Sequence, residues 1–99
     1  MNREKELDLK VDKNLYLLKK NIKFLRKKAN LMTLDDLSEK SGISRDALFK
    51  IESVPDRYPN IKTVLKLAHF YGVGIGDLVD RDMDYEEMKK LAEEEHEGD

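Results

Sequence analysis

The spacing of apolar residues changes several times along the chain, and each change marks an element. From Glu6 to Asp12, "ELDLKVD" alternates, with Leu7, Leu9 and Val11 on one side. A period of two predicts an extended arm over residues 1–13. From Asn14 to Lys28, Leu15, Leu18, Ile22 and Leu25 recur at spacings of three and four. That pattern predicts a helix with an apolar stripe and a lysine-rich opposite face. A second helix starts at Thr33, where "TLDD" has the form of a capping box, and continues through Leu34, Leu37 and Ser41. Gly42 supplies the turn, since a positive φ costs glycine least. Ser44 caps a third helix, Arg45 to Glu52. Pro55 and Pro59 interrupt any helix after it. Asn60 caps a fourth helix, which directs Ile61, Val64, Leu65 and Ala68 inward and stops at Gly72. "VGIGDLV" predicts a short fifth helix that adds Ile75 and Leu78 to the core. The last stretch carries a narrow stripe of Tyr85, Met88, Leu91 and Ala92 in an acidic background, and its end, "EEEHEGD", reads as disordered.

The chain is therefore expected to be all-α, with an arm at 1–13, a helical domain at 14–79 and an acidic extension at 80–99. Its 99 residues suffice for one domain, not two. Cysteine is absent, which excludes disulfides and thiolate metal sites. His69 and His96 have no paired spacing, so neither a metal nor a cofactor is expected. No apolar run approaches the roughly 20 residues of a membrane span, and the charged N-terminus has no signal-like segment. A cytoplasmic protein is the expectation. No nucleophile–base pair or phosphate-cradling glycine loop is present, so catalysis is not expected.

Charge changes this picture. The overall net of −2 hides two halves. Residues 1–79 hold 16 Lys+Arg against 11 Asp+Glu, a net of +5; residues 80–99 hold 3 against 10, a net of −7. Lys13 to Lys28 contains seven basic residues and no acidic one. Read by segment, the basic part is compatible with a nucleic-acid partner.

The third helix sharpens that. At 100° per residue, Ala47, Leu48 and Ile51 share one arc, while Arg45, Asp46, Phe49 and Lys50 share the opposite one. A helix fits the major groove and reaches base edges with its first turn, while the preceding helix crosses the backbone. Arg45 can take guanine bidentately. Asp46 either accepts from a cytosine amino group or only stabilises the helix start. Phe49 either meets a thymine methyl or folds against the second helix. Arg57 and Tyr58 lie within reach of the backbone, and the lysines of the first helix read mainly as a solvated face.

"NIKFLR", "TLDDLSEKSGISRDALFKIE", "YPNIKTVLKLA" and "YGVGIGDLV", in this order and spacing, resemble the phage-repressor (Cro/XRE-like) helix-turn-helix family over about Leu18 to Val79. The resemblance implies a five-helix, lambda-repressor-like DNA-binding domain that pairs on DNA as a homodimer. It implies a phosphate contact for Ser44 and base-edge positions for Arg45, Asp46 and Lys50. Thr33 matches a cap near phosphate, and Glu52 an acid paired with an arginine on the first helix, here Arg26, with Lys27 the alternative given the longer connection. The chain departs from the pattern at several points. Leu34 stands where glutamine is frequent, Phe49 replaces a polar residue, and Val54 replaces a glycine. The connection between the first two helices, and the loop after Glu52, are each one residue longer.

The leading expectation is a repressor that binds double-stranded operator DNA through residues 44–52. The alternative is a protein-interaction module, of antitoxin or phage-regulator type, that uses the same fold. The acidic extension would then hold the protein partner.

Overall fold

The computed structural model describes residues 2–97, and it is all-helical. Helix α1 spans Arg3–Phe24 and runs straight into a π-helical turn, Leu25–Ala29. It is followed by α2 (Leu34–Ser41), α3 (Arg45–Ser53), α4 (Ile61–Tyr71), α5 (Ile75–Asp80) and α6 (Met83–Glu97). No helix among the described residues is long and apolar enough to cross a membrane.

The core sits where α1 to α5 meet. Ile22, Leu37, Leu48, Leu67 and Leu78 are fully buried, one from each helix. Leu18, Ile43, Ile51, Val64, Ala68 and Met83 close around them. Burying a side chain of this size contributes about 1.5–3 kcal/mol, so these few contacts dominate the stability of a small domain.

Two expectations about the ends of the chain are corrected. Residues 3–13 are not an extended arm but the first three turns of α1. Asn2 caps them, its Oδ1 accepting from the Glu4 N–H at 3.0 Å, and Glu4 and Glu6 suit the positive end of the helix dipole. Glu93 to Glu97, expected to be disordered, belong to α6; residues 98–99 lie outside the described residues.

Ile61 and Leu65 also differ from expectation. Both are exposed, while Val64, Leu67 and Ala68 carry the buried face of α4. The remaining boundaries follow local chemistry. Gly42 and Gly72 terminate α2 and α4 in the left-handed conformation, at φ 75° and 68°. Asn60 caps α4 by accepting from the Thr63 N–H at 2.8 Å.

The buried Asn21 side chain ties the ends of the fold together. Its amide nitrogen donates to the carbonyls of Leu78 at 2.8 Å and Arg81 at 2.6 Å. Its oxygen accepts from the Met83 N–H at 3.0 Å. Two turns earlier, Asn14 donates to the Val79 carbonyl at 2.9 Å. Carbonyls at a helix C-terminus lack intrahelical partners, and these two asparagines satisfy them for α5. Lys20–Asp82 at 2.7 Å and Lys28–Asp84 at 2.6 Å add ionic ties from α1 and its π turn to the start of α6.

Candidate nucleic-acid interface

Helices α2 and α3 are joined by the left-handed Gly42 and the buried Ile43. The Ser38 hydroxyl donates to the Ile43 carbonyl at 2.6 Å, and the Ile43 N–H donates to Ser41 Oγ at 3.2 Å. The turn is thus pinned from its own helix. Thr33 and Asp36 form the expected capping box: Thr33 Oγ1 accepts from the Asp36 N–H, and Asp36 accepts from the Thr33 N–H, both at 3.0 Å. Ser44 Oγ accepts from the Ala47 N–H at 3.1 Å and starts α3.

Leu48 and Ile51 fix one face of α3 in the core, and Ala47 is partly buried beside them. The opposite arc is presented to solvent. Arg45, Asp46 and Phe49 are exposed, and Lys50 is half-buried. Phe49 retains 45% of its surface.

Both cations of this arc hold a carboxylate. Arg45 Nε meets Asp35 Oδ1 of α2 at 2.9 Å, and Lys50 Nζ meets Asp46 Oδ2 at 2.8 Å, one helical turn away. Pairs this exposed contribute about 0–1 kcal/mol, so they can open for another anion at little cost. Lys50, Asp46, Arg57, Tyr58 and Thr63 line one open cleft at the end of α3. The Tyr58 hydroxyl donates to Asp12 at 3.1 Å, which pushes its pKa up.

Behind α3, Glu52 and Arg26 form a two-pronged ion pair, 2.8 Å at each contact, with side chains 2% and 9% exposed. A third guanidinium contact, to the Met32 carbonyl at 2.8 Å, fixes the approach to α2. Arg26 lies in the π turn. Such a turn closes its hydrogen bonds one residue further on than an α turn does. Arg26, not Lys27, is the residue paired with Glu52. The Tyr71 hydroxyl is buried nearby without a hydrogen-bond partner, and burial pushes its pKa up to about 12.

Lys19 is the residue whose role was least legible beforehand. Its ammonium donates to the carbonyls of Ile51 and Val54, both at 2.8 Å, and so closes the C-terminus of α3. Burial lowers its pKa. The sequence shows it as one more lysine on a basic face. In the loop beyond, Asp56 takes a positive φ of 61°, while Val54 is extended at φ −98°.

A short helix, a left-handed turn and a core-anchored second helix with a free polar arc define this motif, and a helix-turn-helix family model matches residues 22–78. The chain belongs to the Cro/XRE-like helix-turn-helix family. An uncharacterized HTH-type transcriptional regulator of Methanocaldococcus jannaschii is 39% identical to it over 62 residues, which make up 62% of this chain and 89% of that protein. No solved structure matches the chain. In this helix-turn-helix protein the matched segment starts at the buried Ile22 and ends at the buried Leu78, so it spans the core. The first five turns of α1 and all of α6 lie outside it.

Proposed function

We propose that this DNA-binding transcriptional regulator is a repressor, which occludes a promoter by docking α3 in the major groove of operator DNA. The observation that carries the reading is the outward arc of α3. Arg45, Asp46, Phe49 and Lys50 face solvent on a helix whose other face is locked by Leu48, Ile51 and the capped turn. Arg45 and Lys50 exchange their carboxylates for base edges, with Asp46 and Phe49 facing the same base pairs. Thr33 and Ser44 stand at two helix N-termini, where free N–H groups and the dipole favour phosphate. Arg57 and Tyr58 approach the backbone from the loop after α3. One recognition helix covers only a few base pairs, so the protein is proposed to act as a homodimer on half-sites about one helical turn apart.

Selection of binding sites from random duplexes, followed by titration of variants, tests this. Arg45→Ala is expected to cost about 1–3 kcal/mol on the selected site and to relax preference at one base position. A folded Arg45→Ala/Lys50→Ala variant that binds the selected site with unchanged affinity would rule out α3 as the reader.

The exposed Tyr85, Met88 and Leu91 of α6, flanked by acids, support a second reading, in which the extension holds a basic protein partner. Pull-down with and without residues 85–99, beside a gel shift on genomic fragments, separates the two.

A further inference from the structure

Helix α3 turns one aromatic ring outward in the middle of a charged surface. Seen down the helix axis, the outward arc runs Arg45, Phe49, Asp46, Lys50, with Phe49 about 40° from Arg45 and about 60° from Asp46. The ring is therefore inside the arc, not at its margin. Leu48 and Ile51 commit the other face of α3 to the core. Among the described residues, Phe49 belongs neither to the core cluster nor to the apolar side chains packed around it, and almost half of its surface is in solvent. It is also this chain's own departure from the helix-turn-helix pattern, which has a polar residue at that place. An aromatic ring gains most of its free energy by leaving water, so a ring on the reading arc gains most from a partner that covers it.

Charge restricts that partner. Arg45 and Asp46 flank the ring, and both are exposed. An apolar protein surface that covered Phe49 would desolvate both charges as well, at high cost. The floor of the major groove has the opposite make-up. It presents hydrogen-bond donors and acceptors everywhere except at the C5-methyl group of thymine, which is apolar.

We propose that Phe49 is a specificity-determining residue, which reads the C5-methyl group of one thymine in the site bound by α3. This rests on the proposed docking of α3 in the major groove, and adds to it a base identity and a place. Phe49 is one helical turn beyond Arg45, about 6 Å along the axis. Base pairs stack at about 3.4 Å, so the thymine lies about one to two base pairs from the base that Arg45 reads. The ring has no polar atom, so its preference is for the methyl group itself.

Single uracil substitutions in the selected duplex test this. Replacing a thymine by uracil deletes one methyl group and leaves base pairing intact. At one thymine, about one to two base pairs from the position relaxed by Arg45→Ala, the wild type is expected to bind uracil about three- to fivefold more weakly, the effect of one buried methyl group. Phe49→Ala should bind the thymine site more weakly and should not distinguish the two bases there. Its helical circular dichroism should match the wild type, since the position is exposed. A merely structural ring would, when lost, weaken both duplexes alike and leave the distinction in place. A selected site with no thymine at that spacing, a wild type indifferent to every uracil, or a Phe49→Ala variant that still distinguishes the bases overturns the inference. A wild type that selects a site, with preference relaxed by Arg45→Ala, but shows no methyl response rejects only the role of Phe49. A wild type that selects no site removes the DNA reading, and this inference with it.

Discussion

The Arg26–Glu52 pair shows what a single residue decides in this molecule. Both charges are out of water, and each satisfies the other through two contacts. Removing one partner strands the other, which costs about 3–5 kcal/mol. Glu52→Ala is therefore expected to lower unfolding stability by that amount in urea, far more than Asp35→Ala, whose pair with Arg45 is exposed. A loss below about 1 kcal/mol would show that the guanidinium finds another partner. The pairing was legible through the family resemblance, and the Thr33–Asp36 box through a spacing of three. Lys19 and Asn21 were not legible. Their acceptors are main-chain carbonyls at the ends of α3 and α5, and a carbonyl leaves no mark on the sequence. Only the packing of distant helices makes them partners.

Among elements, α2, α3 and α4 could be read with near-correct limits because their signals are local. A side-chain oxygen sits at each start, and a left-handed glycine ends α2 and α4. The first turns of α1 could not. Leu7, Leu9 and Val11 alternate, but Leu7 and Val11 are also one helical turn apart, and continuity with the helix behind them decides the matter. Helix starts also set the response to acid. Asp36 is held below the usual carboxylate range chiefly by the Thr33 N–H, Asp77 by Arg81 and then the Gly74 N–H, and Asp82 by Lys20. With these values depressed, the native state binds fewer protons than the unfolded chain. The stabilisation is complete well above the ordinary value of 3.8 and is lost as pH falls through it to the lower native values. The melting temperature should be flat near neutrality and fall below about pH 5. Asp36→Asn and Asp82→Asn should flatten that acid limb; an unchanged limb in both would place the acid response elsewhere.

At the scale of the whole molecule, charge is divided between a basic body and an acidic extension. The start of α6 is anchored by the buried Met83, by Asn21 and by the Lys20 and Lys28 pairs, while Tyr85, Met88 and Leu91 stand in solvent. The exposure of this stripe shows that periodicity reveals a face but not what covers it. Truncation after Asp84 keeps every one of those anchors. It should leave the melting temperature nearly unchanged while tightening non-specific DNA binding, because less negative charge opposes phosphate neutralisation. Screening over about 10 Å at 0.1 M salt confines the effect to low ionic strength. Isotherms at two salt concentrations with equal low-salt affinities would rule it out. The π turn at Leu25–Ala29 has a different kind of consequence. A residue added within an α-helix ordinarily swings everything beyond it by about 100°. A widened turn takes up such a swing, so Leu25–Ala29 works as an expansion joint between α1 and α2, with Arg26 inside it held by Glu52 and the Met32 carbonyl.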